Sequence, residues 1–105
     1  MANDENARIA FRFFRQEMGL SRNQAAGIAG NFSQESGFNP IAVNPNSGAY
    51  GIAQWLDTRK DNLMAATGDG GDLRAQLEYF KDEVENDPYE RAQFEKFLYY
   101  DDTSI

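Results

Sequence analysis

The chain has 105 residues, 41% of them apolar, with ten Lys and Arg against seventeen Asp and Glu, a formal charge of -7, and neither His nor Cys. That size suits one domain spanning 1–105, itself whole or an excerpt of a longer protein, able to bury roughly two thirds of its unfolded surface. The acidic balance excludes an electrostatic grip on nucleic acid, and the lack of imidazoles and thiols excludes disulfides, His- or Cys-based triads and the usual zinc sites, leaving carboxylates as the general acids and bases.

No cofactor and no metal is expected. No window approaches the roughly 20 apolar residues of a membrane span. The start, MANDENARIAFRFF, has acids where a secretory signal has bases, so the protein is expected to stay in the cytosol or leave by another route. An acidic chain is also repelled by an anionic cell wall, so work there requires local contacts or a tether.

From Asp4 to Met18, the residues Ala7, Ile9, Ala10, Phe13, Phe14 and Met18 recur at three- and four-residue spacing, which predicts an amphipathic helix closed by Gly19. Ser21 with Gln24 three residues on reads as a capping box opening a second helix. Gly27 and Gly30 within it each cost about 1 kcal/mol against alanine, so close packing on a neighbour is expected to compensate. Gly37 offers its end, placing Glu35 in the last turn. There the negative end of the helix dipole disfavours ionisation, and Phe32, Phe38 and Trp55 could add desolvation. No Lys or Arg lies between Arg22 and Arg59, so Glu35 is expected to stay protonated near neutrality.

Asn39-Pro40, Asn44-Pro45 and Asn46-Ser47-Gly48 predict an irregular surface loop over 37–50. Residues 49–55 read as an extended segment in preference to a single helical turn. Asp57 or Thr58 can cap a third helix reaching Gly68, and Gly68-Asp69-Gly70-Gly71 is a flexible break, not a calcium loop. Asp72 then caps a fourth helix with a core stripe of Leu73, Leu77, Phe80 and Val84, and Asp87-Pro88 opens a fifth. Residues 99–105 are expected to fray. The fold class is mainly α, with an irregular or short β-like segment beside a groove.

A glutamate held protonated, beside Ser36, an amide at Gln54 and aromatics, suits an uncharged, hydroxyl-rich ligand such as a sugar chain. Glycosidic bonds are broken by a carboxylic acid that protonates the leaving oxygen. The alternative is that Glu35 only ends a helix and points into water.

The order GIAGNFSQESGFNP, an Asn-rich loop, GAYGIAQW and TRKDNL resembles the phage tail lysozyme domains of the lysozyme-like superfamily. Glu35-Ser36 and Gly51-Ile52-Ala53-Gln54 also look like elements of lytic transglycosylases and goose-type lysozymes. The resemblance runs from Phe11 to Phe80. It implies a muramidase that cleaves peptidoglycan glycan strands between N-acetylmuramic acid and N-acetylglucosamine, with Glu35 catalytic. Ser36, Tyr50 and Gln54 match substrate-side positions; Trp55 either stacks on a sugar or fills the core.

A hydrolase needs a second carboxylate roughly 5–9.5 Å from the acid. Asp57 is the nearest candidate downstream, with helix capping as its other role. A transglycosylase would use the muramoyl C6 hydroxyl instead. The resemblance also implies a virion-associated or wall-delivered protein, with other virion or secretion-assembly proteins as further partners. The acidity and the short run after the fifth helix fit a second possibility, a non-catalytic lysozyme-like module binding glycan or protein in a phage tail or wall-spanning assembly.

Overall fold

The computed structural model describes residues 2–103. Five helices follow one another: α1 Ala2–Gln16, α2 Arg22–Ser36, α3 Asp57–Thr67, α4 Leu73–Asn86 and α5 Pro88–Thr103. None is long and apolar enough to cross a membrane.

Several boundaries follow from local chemistry. After α1, Gly19 takes φ +68° and the Leu20 N–H reaches back to the Phe14 carbonyl at 3.1 Å, a reversal that a side chain at Gly19 would strain. The Ser21 hydroxyl accepts from the Gln24 N–H at 3.1 Å, and the Ser21 N–H donates to Gln24 Oε1 at 2.9 Å, the expected capping box. Gly37, left-handed at φ 61°, ends α2. The Asp72 carboxylate accepts from the Ala75 N–H, and Asp87 Oδ1 accepts from the Tyr89 and Glu90 N–H groups in front of α5.

Four expectations are corrected. The cap of α3 is neither Asp57 nor Thr58 but Leu56, which offers no side-chain acceptor; Asp57 itself takes φ +53°, because the chain turns there on leaving the buried Trp55. Residues 49–55 are not a continuous extended segment. Tyr50 pairs with both Val43 and Trp55, with Gly51–Gln54 forming a tight turn between, closed by reciprocal Tyr50–Trp55 backbone bonds of 2.9 Å each.

Gly30 is exposed, and a Cβ added there would meet nothing within 4 Å, so no close packing compensates for it. Gly30→Ala should therefore raise stability by up to about 1 kcal/mol, read as a higher urea midpoint. Finally, α5 continues through Thr103 where fraying was expected from residue 99; Ser104 and Ile105 lie outside the described residues.

One core joins these elements. Phe14 of α1, Phe32 of α2 and Phe80 of α4 meet edge to face, with centroids 5.0–6.2 Å apart, and Phe94 of α5 joins Phe80 at 5.8 Å. Edge-to-face geometry suits the ring quadrupoles. α5 packs on α4 and α2. This brings the far end of the chain against the helix that carries Glu35.

Candidate active site

The end of α2 is tied to the Gly51–Gln54 turn through Ser36. Its hydroxyl donates to the Ile52 carbonyl at 2.8 Å and accepts from the Phe38 N–H at 3.1 Å. The same turn is held from the other side by Gln76 of α4, fully buried. Gln76 Oε1 accepts from the Ile52 N–H at 2.9 Å, and its Nε2 donates to the carbonyls of Pro40, Gly70 and Gly71 at 2.8, 3.0 and 3.3 Å. One amide thus joins three loop segments, satisfying groups that would otherwise be buried unpaired.

Gly51 must be glycine for two reasons: φ is +82°, and an added Cβ would lie 2.7 Å from Gln76 Oε1. Because Gln76 is bonded on all sides it cannot swing away. Gly51→Ala should cost about 1–3 kcal/mol, seen as a lowered denaturation midpoint.

Beside this junction a groove of about 380 Å³ runs between α2 and α5. Phe32, Phe80, Phe94 and Phe97 give it an apolar floor; Asn31, Glu35, Arg59, Glu90 and Gln93 give it polar groups. Glu35 stands in the last turn of α2 and keeps much of its surface open to the groove, yet neighbouring atoms crowd it enough that desolvation pushes its carboxyl pKa above the ordinary glutamate value. Arg59 acts in the opposite direction. The sequence gap without cations therefore ends at the cation that folds back towards Glu35.

Arg59 is, however, already engaged. Its Nε and Nη2 donate to Glu83 Oε2 and Oε1 at 2.9 and 2.7 Å, and its Nε also lies 3.2 Å from Glu90 Oε1. Two carboxylates hold its charge, and its pKa is raised accordingly, chiefly by the Glu83 bond. Among the described residues none forms an ion pair with Glu35.

The sequence profile described as phage tail lysozyme matches residues 5–104. The chain belongs to the phage tail lysozyme family. No curated protein and no solved structure matches it. Membership supports a lysozyme-like, peptidoglycan-related function and a phage-tail setting.

Within this family member, the residues singled out from sequence are distributed unevenly. Glu35 lines the groove. Ser36 is a clamp between two backbone segments. Gln54 adopts φ +53° and its amide donates to the carbonyls of Gly51 and Ala42 at 2.8 and 3.2 Å, so it braces the turn whose Ala53 reaches the groove. Tyr50 packs beneath Gly70 with Lys60 over its ring. Trp55 has no exposed surface and its indole N–H donates to Glu83 at 3.1 Å, which places it in the core, unable to stack on a sugar. Asp57 is exposed and is not among the groove-lining residues.

Sequence reasoning missed Arg59, Glu83 and Glu90. The available signal was weak: an arginine amid surface-type residues of α3, and acids on either side of the Asp87-Pro88 helix break.

Proposed function

We propose that this chain cleaves peptidoglycan glycan strands between N-acetylmuramic acid and N-acetylglucosamine, with Glu35 as the general acid. The observation that carries this reading is the placement of Glu35: a carboxyl without an ion-pair partner among the described residues, raised in pKa by burial, facing a groove with both an apolar floor and neutral amides. A carboxylic acid in that state can donate its proton to the glycosidic oxygen as the C1–O bond breaks. Asn31 and Gln93 can hydrogen-bond sugar hydroxyl and acetamido groups, while the phenyl rings take apolar sugar faces.

Water attacking C1 leaves a reducing end; the muramoyl C6 hydroxyl leaves a 1,6-anhydro end. Either nucleophile passes its proton to the carboxylate left on Glu35, so the site returns to its starting state. Placement in a phage tail would deliver the enzyme to the wall at high local concentration, which a chain of charge -7 does not achieve by attraction to an anionic polymer.

The test is mass spectrometry of peptidoglycan incubated with the parent protein and with Glu35→Gln. New glycan ends from the parent alone support the reading, and the type of end reports the nucleophile. Glycan left intact by the parent sinks it; retention of both proteins on insoluble peptidoglycan without new ends would instead indicate a glycan-binding module.

A further inference from the structure

Charge balance in the groove gives a task to residues that the general acid alone does not require. Arg59 of α3 is shared by Glu83 of α4 and Glu90 of α5, so one positive charge faces two negative ones and a net negative charge remains when all three are ionised. The two carboxylates are not equivalent. Glu83 is 5% exposed at its side chain, and both its oxygens are occupied, Oε1 by Trp55 Nε1 and Arg59 Nη2 and Oε2 by Arg59 Nε. It neutralises Arg59 inside the protein. Glu90, 14% exposed at its side chain, has among the described residues the 3.2 Å contact to Arg59 as its ion pair and lines the groove together with Glu35.

Its position is set by rigid parts. The Asp87 carboxylate accepts from the Glu90 N–H at 3.1 Å, which fixes the first turn of α5, and the Arg59–Glu83 fork fixes the guanidinium against which Glu90 rests.

Resting on the muramidase reading above, we propose that Glu90 is the groove's second carboxylate, stabilising the cationic sugar that forms as the glycosidic bond breaks, and that Arg59 is its positioning residue. An oxocarbenium-like centre develops positive charge where the ground state has none. A fixed negative charge beside it therefore favours the transition state selectively. Without Glu83, Arg59 would cancel Glu90; with Glu83 absorbing the arginine's charge, Glu90 is left in surplus. Asp57, outside the groove, has no such position.

The charged groups around Glu90 are Arg59 from α3, Glu83 and Asp87 from α4 and its end, and Glu35 across the groove on α2. Desolvation raises the Glu90 pKa, Arg59 opposes this, and Glu83 and Asp87 add to it. Glu90 must be ionised to act and Glu35 protonated, so turnover should follow a bell in pH with one limb from each carboxyl.

The experiment compares peptidoglycan turnover by the parent, Glu35→Gln, Glu90→Gln, Glu90→Asp and Asp57→Asn across pH, with denaturation midpoints as a folding control. The expected result is a fall in kcat of about a hundredfold for Glu90→Gln with KM little changed, loss of one limb of the bell, partial recovery in Glu90→Asp, and parental rates in Asp57→Asn. An active parent with a dead Glu35→Gln and a Glu90→Gln that keeps the parental rate and bell overturns this inference while leaving the muramidase reading intact. So does a loss in Glu90→Gln that merely tracks its denaturation midpoint and leaves both limbs in place. A parent without turnover overturns both.

Discussion

Replacing Glu35 with Gln should lower peptidoglycan turnover by about 10²–10⁴-fold, the usual worth of a positioned general acid, while leaving KM within a few-fold of the parent. Gln keeps the shape and the hydrogen-bonding reach of the side chain but has no proton of the right acidity. The substitution should not harm the fold, because Glu35 forms no ion pair among the described residues and stands on the groove side of α2.

Its effect on stability has a defined sign. The folded-state pKa of Glu35 is raised by desolvation, so between the ordinary glutamate value and the raised one the folded protein binds more protons than the unfolded chain. Stability from this group is fully present below the unfolded-state pKa and is lost as pH rises through the folded-state pKa. Glu35→Gln removes that loss. Thermal midpoints of the two proteins should therefore diverge in the variant's favour as pH rises through this window, and the alkaline limb of the parent's turnover should fall in the same window. A variant that loses ground to the parent with rising pH would contradict the assigned cause.

Gln76→Ala should cost about 3–5 kcal/mol. The buried amide satisfies the Ile52 N–H and the carbonyls of Pro40, Gly70 and Gly71. Truncation leaves those groups short of partners at about 1–3 kcal/mol for each one that water does not reach, and adds a cavity under the Gly51–Gln54 turn. Gln76→Glu makes a sharper comparison. It keeps an acceptor for Ile52 but points a carboxylate at three carbonyl oxygens, so it should be at least as destabilising although it is nearly isosteric. Urea denaturation of the two variants measures both effects. A loss below about 1 kcal/mol for Gln76→Ala would show that water replaces the amide.

Because Ile52 is also the partner of Ser36, the same variants should loosen the end of α2 and reduce turnover by Glu35 as well. The polar pair Gln76 and Ser36 thus links the fold to the site, one holding the turn from α4 and the other from α2.

The legibility of this protein divides by the distance over which each feature is encoded. Ser21 with Gln24, Gly19, Gly37, Asp72 and Asp87-Pro88 mark helix ends because capping is settled among residues a few positions apart. Trp55 shows where a local reading stops: its aromatic type fits a sugar platform or a core, and only the approach of Glu83 and Tyr79 from α4 commits it to the interior. Ser36 and Gln54 likewise look like ligand-facing polar groups in sequence, and only the tertiary structure supplies the backbone carbonyls to which the Ser36 hydroxyl and the Gln54 amide N–H donate.

By itself, then, the sequence determined a mainly helical chain, the positions of most of its helix starts and stops, and an acid at the end of α2 with carboxylate chemistry as its only strong option. Only the tertiary structure decided what surrounds that acid. Arg59 and Glu83 lie 24 residues apart, and α5 reaches the groove from the far end of the chain. Such pairings depend on how whole helices pack, through contacts such as Phe32, Phe80 and Phe94, and leave no periodic trace in the residues that finally meet.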